Sequence, residues 1–137
     1  MQFNGIYTAL ITPFNQDFSI NEKAYAILID KIIAEGVHGI VLAGSTGENY
    51  SQTLEERIHL INVTAELINK KVKLIVGTGG ILRIEDSIIL GKKAKEVGAD
   101  AIMISSPPYS VPTSKENALS SLAIDRATNL PILLYNY

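Results

Sequence analysis

The chain has 137 residues, enough for one domain with a real core but short of the ~250 residues of a complete (β/α)8 barrel. Hydrophobic residues make up 47% and charged residues 19%, and the net charge is −2 with lysines and arginines scattered rather than striped, which gives nucleic-acid binding little support. Cysteine is absent, excluding disulfides and thiol catalysis; no apolar run approaches the ~20 residues of a membrane helix, and residues 1–5 lack the basic and apolar regions of a signal peptide, so a soluble cytoplasmic protein is expected.

Short β-branched apolar runs alternate with helical patterns. Residues 6–12 form the first predicted strand and lead into Thr12-Pro13-Phe14. Asn21 can cap a helix whose apolar positions are Ala24, Leu28, Ile29, Ile32 and Ile33, ended by Gly36. A second strand over 39–43 runs into Gly44-Ser45-Thr46-Gly47-Glu48. Thr53-Leu54-Glu55-Glu56 is a capping box, followed by Ile58, Ile61, Ala65 and Ile68 on one helix face.

The third strand, 72–77, ends in Gly77-Thr78-Gly79-Gly80, and a helix from about Glu85 to Val97 turns Ile88, Ile89 and Ala94 inward before Gly98. The fourth strand, 101–105, leads to Ser106-Pro107-Pro108-Tyr109; a second box, Thr113-Ser114-Lys115-Glu116, then opens a helix carrying Leu119, Leu122 and Ala123. The fifth strand spans 131–137 and ends in Tyr135-Asn136-Tyr137. Strand starts are 33, 33, 29 and 30 residues apart, the length of a βα unit. Right-handed crossovers make such a sheet parallel, with all strand C-termini on one edge. Two architectures fit: an open doubly wound sheet, or part of a (β/α)8 barrel.

Ligands bind at that C-terminal edge in either architecture. The Gly44–Glu48 turn combines small residues with two adjacent hydroxyls and suits a carboxylate or phosphate; it can equally be a tight connection capped by its own Ser45 and Thr46. Gly77-Thr78-Gly79-Gly80 matches neither a dinucleotide fingerprint nor a P-loop and reads as a close-packed turn. Glu48 is a candidate general acid, or a fastener of the turn's backbone. His38 and His59 have no partner at metal-ligand spacing, so zinc is not expected and no cofactor is assigned. Tyr135, inside an apolar strand, reads as a buried phenol that requires a partner, and on the residues alone a structural partner is the stronger reading.

Six segments in order carry a resemblance: residues 8–14, 39–48, 76–79, 98–101, 107–109 and 135–136. Together they resemble the family of dihydrodipicolinate synthase and N-acetylneuraminate lyase. The resemblance implies a (β/α)8 barrel that holds pyruvate or another 2-keto acid as a lysine Schiff base. Residues 1–137 would supply the N-terminal portion of that single domain, about four βα units and the fifth strand. It further implies that Ser45, Thr46 and Gly47 hold the keto-acid carboxylate. Tyr135 would shuttle the proton, oriented by Ser45, and the molecule would be a homo-oligomer.

Two departures stand out. The family's lysine lies on the sixth strand, and none of the nine lysines here falls at a predicted strand C-terminus, so the chain alone is expected to be inactive. Ser110 stands where the synthases commonly carry a second tyrosine, and Ser45 where threonine is more usual, which leaves room for a lyase acting on a sugar-derived keto acid. The alternatives are a non-catalytic piece that assembles with itself or a partner, and an open-sheet phosphate-binding module.

Overall fold

Residues 3–80, 83–107 and 109–136 are described in the computed structural model of the chain. Five parallel strands alternate with four helices: β1 (Tyr7–Ala9), α1 (Glu22–Ala34), β2 (Gly39–Leu42), α2 (Leu54–Ile68), β3 (Lys73–Gly77), α3 (Ile84–Glu96), β4 (Ala101–Ser105), α4 (Ser114–Thr128) and β5 (Ile132–Tyr135). The strand order in the sheet is β1-β2-β3-β4-β5. A doubly wound sheet reverses its strand order and so places helices on both faces. Here the order never reverses, and α1 packs on α2, α2 on α3 and α3 on α4 along one face. The winding is that of a barrel wall.

Strand parity divides the sheet. Ile40, Leu42, Leu74, Val76, Ile102 and Ile104 face the helices and join Tyr25, Ile29, Leu60, Ile61, Ile68, Leu90, Ala94 and Ile124 in one core. The ladder aligns Val41 with Ile75, and Gly77 with Met103 and then Leu133, on the opposite, concave face. Burying a side chain of this kind contributes about 1.5–3 kcal/mol, so most of the stability lies between helices and sheet.

Local signals set the element ends. The Asn21 side chain accepts from the Ala24 N–H at 2.9 Å, and both capping boxes form, Thr53 with Glu56 and Thr113 with Glu116. Gly36 and Gly98 take φ of +81° and +78° just past α1 and α3. The strands are shorter than their apolar runs. The first is only Tyr7–Ala9, although the Leu10 N–H still donates to the Val41 carbonyl at 3.0 Å, and the fifth is Ile132–Tyr135. Tyr137, expected in that strand, lies outside the described residues.

Ile89, expected inward, is 42% exposed; Ser87, Leu90, Gly91 and Ala94 form the buried face of α3 instead. The buried stripe follows the i, i+3, i+4, i+7 spacing from Ser87, and Ile89 falls off it. Leu119 and Leu122 of α4 are likewise exposed, while Ile124 and Thr128 are its buried positions.

Candidate active site

At the C-terminal edge the chain must turn sharply after β2. Ala43 takes φ +54°, a region that costs a non-glycine residue about 1–2 kcal/mol, and Ser45–Gly47 then form one 3-10 turn. That turn closes through the Gly47 N–H donating to the Gly44 carbonyl at 3.0 Å. Glu48 is left-handed at φ +56° and begins a second short turn, Asn49–Ser51.

Two side chains from this segment hold it down. Asn49 Nδ2 donates to the Ala43 carbonyl at 2.9 Å and to the Gly79 carbonyl at 3.4 Å. Gln52 Nε2 donates to the Gly47 carbonyl at 2.7 Å and to Thr12 Oγ1 at 3.1 Å, and the Thr12 hydroxyl itself donates to the Gly47 carbonyl at 2.8 Å. The turn after β2 is thereby tied to the segment that follows β1 on one side and to the β3 turn on the other.

The β3 turn is close-packed, as its sequence suggested. A Cβ on Gly77 would lie 2.8 Å from the Ala43 carbonyl carbon, and one on Gly79 would overlap Ser105. Behind it lies Arg57, 2% exposed, whose Nη2 donates to the Gly77 carbonyl at 2.8 Å and to the Gly79 carbonyl at 3.3 Å. Burial pushes the guanidinium down to about 10, still far above neutral pH, so Arg57 is a cation. Sequence reasoning missed it. The available signal was its place on the buried stripe of α2, with Leu60, Ile61, Thr64 and Ile68.

These turns enclose a cavity of about 520 Å³ on the concave face. Ser45, Thr46 and Tyr135 line it together with Tyr7, Val41, Met103 and Ser105. No charged side chain among the described residues lines it, and the polar side chains that do are hydroxyls apart from the Asn49 amide. Gly47, grouped with Ser45 and Thr46 from the sequence, does not: its N–H and carbonyl are both used inside the turn framework.

Tyr135 is not the buried phenol its strand suggested. It is 49% exposed, because β5 pairs with β4 alone among the described strands and its outer edge is open. Register places it opposite Ser105, on the cavity side. Glu48 holds the turn through its backbone: the N–H donates to the Ser45 carbonyl at 3.0 Å, and its own carbonyl accepts from the Ser51 hydroxyl at 2.8 Å. Tyr109, fully exposed at φ +69°, and Ser110 do not line the cavity.

The histidines are elsewhere. His38 Nδ1 accepts from the Ile6 N–H at 3.1 Å, and His59 Nε2 meets Glu22 Oε1 at 2.8 Å on the helix surface. Among the described residues no group of three His, Asp or Glu side chains is placed to hold a metal ion. No helix among them is long and apolar enough to cross a membrane.

With this geometry in hand, comparison with known proteins is decisive. The profile of the dihydrodipicolinate synthetase family matches residues 2–137. The chain belongs to that family. Among curated relatives, the 4-hydroxy-tetrahydrodipicolinate synthase of Chelativorans sp. (strain BNC1) is 40% identical over 134 residues, which are 98% of this chain and 45% of the relative. A prophage protein of the same family from E. coli K12, solved in complex with pyruvate, superposes with a TM-score of 0.94 at 29% identity, covering 100% of this chain and 46% of that one. The N-acetylneuraminate lyase of Mycoplasma synoviae gives a TM-score of 0.93 at 30% identity, over 98% and 47%.

The chain thus spans about half the length of the relatives it matches, and its elements are the first four βα units and fifth strand of a (β/α)8 barrel. The family resemblance read from the sequence holds, but its six segments do different work. Residues 98–101 lie at the far end of the sheet, where Gly98 ends α3 and the Asp100 carboxylate accepts from the Leu74 N–H at 3.0 Å.

Proposed function

We propose that this chain is the carboxylate-binding and proton-shuttling part of a pyruvate- or 2-keto-acid-dependent Schiff-base lyase or synthase. The supporting observation is that one concave cavity gathers Ser45, Thr46 and Tyr135. In this reading the hydroxyls of Ser45 and Thr46 donate to the keto-acid carboxylate. The first N–H groups of the 3-10 turn, which precede its first internal bond, add to them. Gly47 serves by letting the turn close against the Leu10 carbonyl, just past β1. The Arg57 cation, behind the Gly79 wall, favours an anion in an otherwise uncharged cavity.

Tyr135 moves the proton during imine formation and at the carbon–carbon step, with Ser45 orienting its hydroxyl. An imine supplies the electron sink for the carbanion, so the nucleophile must be a lysine. None of the nine lysines in this sequence lines the cavity: they lie on α1, α3 and α4, in the 70–71 turn and at the start of β3. The reacting lysine is therefore assigned outside these 137 residues, which alone are inactive and form the N-terminal portion of one barrel domain in a cytoplasmic homo-oligomer.

Treating the natural gene product with pyruvate and borohydride tests this. The expected result is a reduced pyruvate adduct on one lysine, lost or slowed at least ~100-fold with Tyr135→Phe and weakened with Ser45→Ala. No adduct on any lysine overturns the reading.

A second reading concerns the other substrate. Ser110 at the synthases' usual tyrosine position, and Ser45 in place of threonine, favour a sugar-derived keto acid over aspartate semialdehyde. Release of pyruvate from a sugar-derived 2-keto acid, with no condensation of pyruvate and aspartate semialdehyde, is the expected outcome. The reverse pattern restores the synthase.

A further inference from the structure

Ser105 closes β4 and Ser106 follows it, and the two hydroxyls have different fates. Ser106 is accounted for: its Oγ accepts from Asn117 Nδ2 of α4 at 2.9 Å. Nearby serines are paired as well, Ser87 donating to the Thr78 carbonyl at 2.7 Å and Ser121 to the Asn117 carbonyl at 2.8 Å. Ser105 shares the concave face with Met103, two residues back on the strand, and lines the cavity. Its hydroxyl has no hydrogen-bond partner among the described residues, yet it is not sealed off as the orphaned hydroxyls of Tyr7 and Thr78 are.

Its two neighbours frame that hydroxyl. Glycine at position 79 leaves the room that Ser105 fills, since a Cβ there would overlap both the Ser105 nitrogen and its Oγ. On the other side Ser105 pairs with Tyr135 across the β4–β5 ladder. A serine oxygen lies one bond past Cβ, whereas a phenol oxygen is carried to the far end of a ring. Ser105 therefore stands at the root of Tyr135 and is free to meet a ligand rather than to orient the phenol. The strand side chains around it on this face, Ala9, Val41 and Met103, are apolar, so Ser105 is where the wall offers a polar contact between the Ser45–Thr46 turn and Tyr135.

We infer that Ser105 is a specificity contact, its hydroxyl hydrogen-bonding a chain hydroxyl of a 2-keto acid whose carboxylate lies at the Ser45–Thr46 turn. Spacing selects the hydroxylated class. Ser45 and Thr46 follow the end of β2 and Ser105 ends β4, with β3 between them. Adjacent strands lie about 4.8 Å apart, so the two ends are separated by roughly 10 Å along the edge. Hydrogen bonds of about 2.8 Å at each end leave roughly 4–5 Å between the ligand oxygens. Pyruvate carries its carboxylate and keto oxygens on adjacent carbons, too close together to span that gap. A hydroxyl further along a longer keto acid spans it. The inference rests on the 2-keto-acid reading above and deepens it by naming the substrate class.

Ser105→Ala removes the one oxygen at issue. The natural gene product and this variant are trapped with borohydride over a range of concentrations of pyruvate and, separately, of 2-keto-3-deoxygluconate, whose hydroxyls begin at the fourth carbon. Intact mass gives the half-saturating concentration of each acid, whole and cleaved adducts being counted together. The expected result is that the natural protein's preference for the hydroxylated acid over pyruvate falls roughly 5- to 10-fold in the variant, the worth of one hydrogen bond. A preference unchanged within about 2-fold overturns the inference, and so does an equal weakening of both acids, which is what a merely structural serine produces. A natural protein that traps pyruvate but not the hydroxylated acid overturns it too, while the keto-acid reading stands. No adduct with either acid removes that reading and this inference together.

Discussion

Replacing Arg57 probes how the cavity wall is held. Arg57→Ala removes two charge-assisted hydrogen bonds to the Gly77 and Gly79 carbonyls, together worth about 3–5 kcal/mol. It also leaves a void on the buried face of α2, which adds ~2 kcal/mol. Against this stands relief from burying a cation. The fall from 12.5 to about 10 corresponds to roughly 3 kcal/mol of desolvation cost. The balance is a loss of about 2–4 kcal/mol for Arg57→Ala and about 1 kcal/mol for Arg57→Met, which keeps most of the volume.

Both variants free the β3 turn from α2, so both are expected to weaken the proposed pyruvate binding of the natural gene product although only one is strongly destabilised. Urea unfolding and calorimetric titration measure the two effects. An Arg57→Ala loss below ~1 kcal/mol, or an Arg57→Met protein with unaltered pyruvate affinity, refutes the bracing argument.

The Tyr25 hydroxyl and Thr64 Oγ1 are 2.7 Å apart and buried between α1 and α2, where burial pushes the phenol up. Thr64→Val orphans the phenol and costs about 1–3 kcal/mol, whereas adding Tyr25→Phe recovers about 1 kcal/mol; strict additivity in a double-mutant cycle would contradict the pairing. Gly77→Ala pushes a methyl group onto the Ala43 backbone, which cannot move aside as a side chain could, and is expected to cost about 2 kcal/mol or more by denaturation midpoint. Gly36→Ala meets no neighbour and loses only ~1 kcal/mol from its positive φ; a ranking in the other order rejects the steric account.

At the head of α4, hydrogen bonds from the Thr113 N–H and hydroxyl hold the Glu116 carboxyl below its ordinary value. The unfolded chain then binds the proton at higher pH, so this contribution is present above the ordinary carboxylate range and is lost as pH falls through the folded value. Glu116→Gln should flatten the acid limb of stability against pH; an unchanged limb would show the box to be energetically silent.

The elements were legible because each carries a local signal. Asn21, Thr53 and Thr113 cap the helices they were expected to cap, and Gly36 and Gly98 end theirs. Pattern alone could not choose between barrel and open sheet, since both alternate strand and helix with the same spacing. Strand order decides that, and strand order is a long-range property. The same limit hid the framework of the site. Asn49, Gln52 and Arg57 act across separations of 5 to 30 residues, on backbone carbonyls that carry no residue-type signature. Ile89 was misplaced for a different reason: hydrophobicity was counted where helical phase should have ruled.

Tyr135 shows how much of the site depends on register rather than on motif. Nothing in the sequence says which way its side chain faces, and burial does not dictate it, since the residue is half exposed. The β4–β5 ladder does: Ile102 pairs with Ile132, and three steps on Ser105 pairs with Tyr135. A slip of one residue would carry Tyr135 to the helix side and bring Leu134 into the cavity. What resists that slip is the β5 residue Ile132, packed against the helix-facing core. Ser45 and Thr46 reach the same cavity by another route, through a strained Ala43 and the Asn49 and Gln52 anchors. The two halves of the proposed chemistry therefore meet only because an apolar core on one face of the sheet fixes the phase of the other.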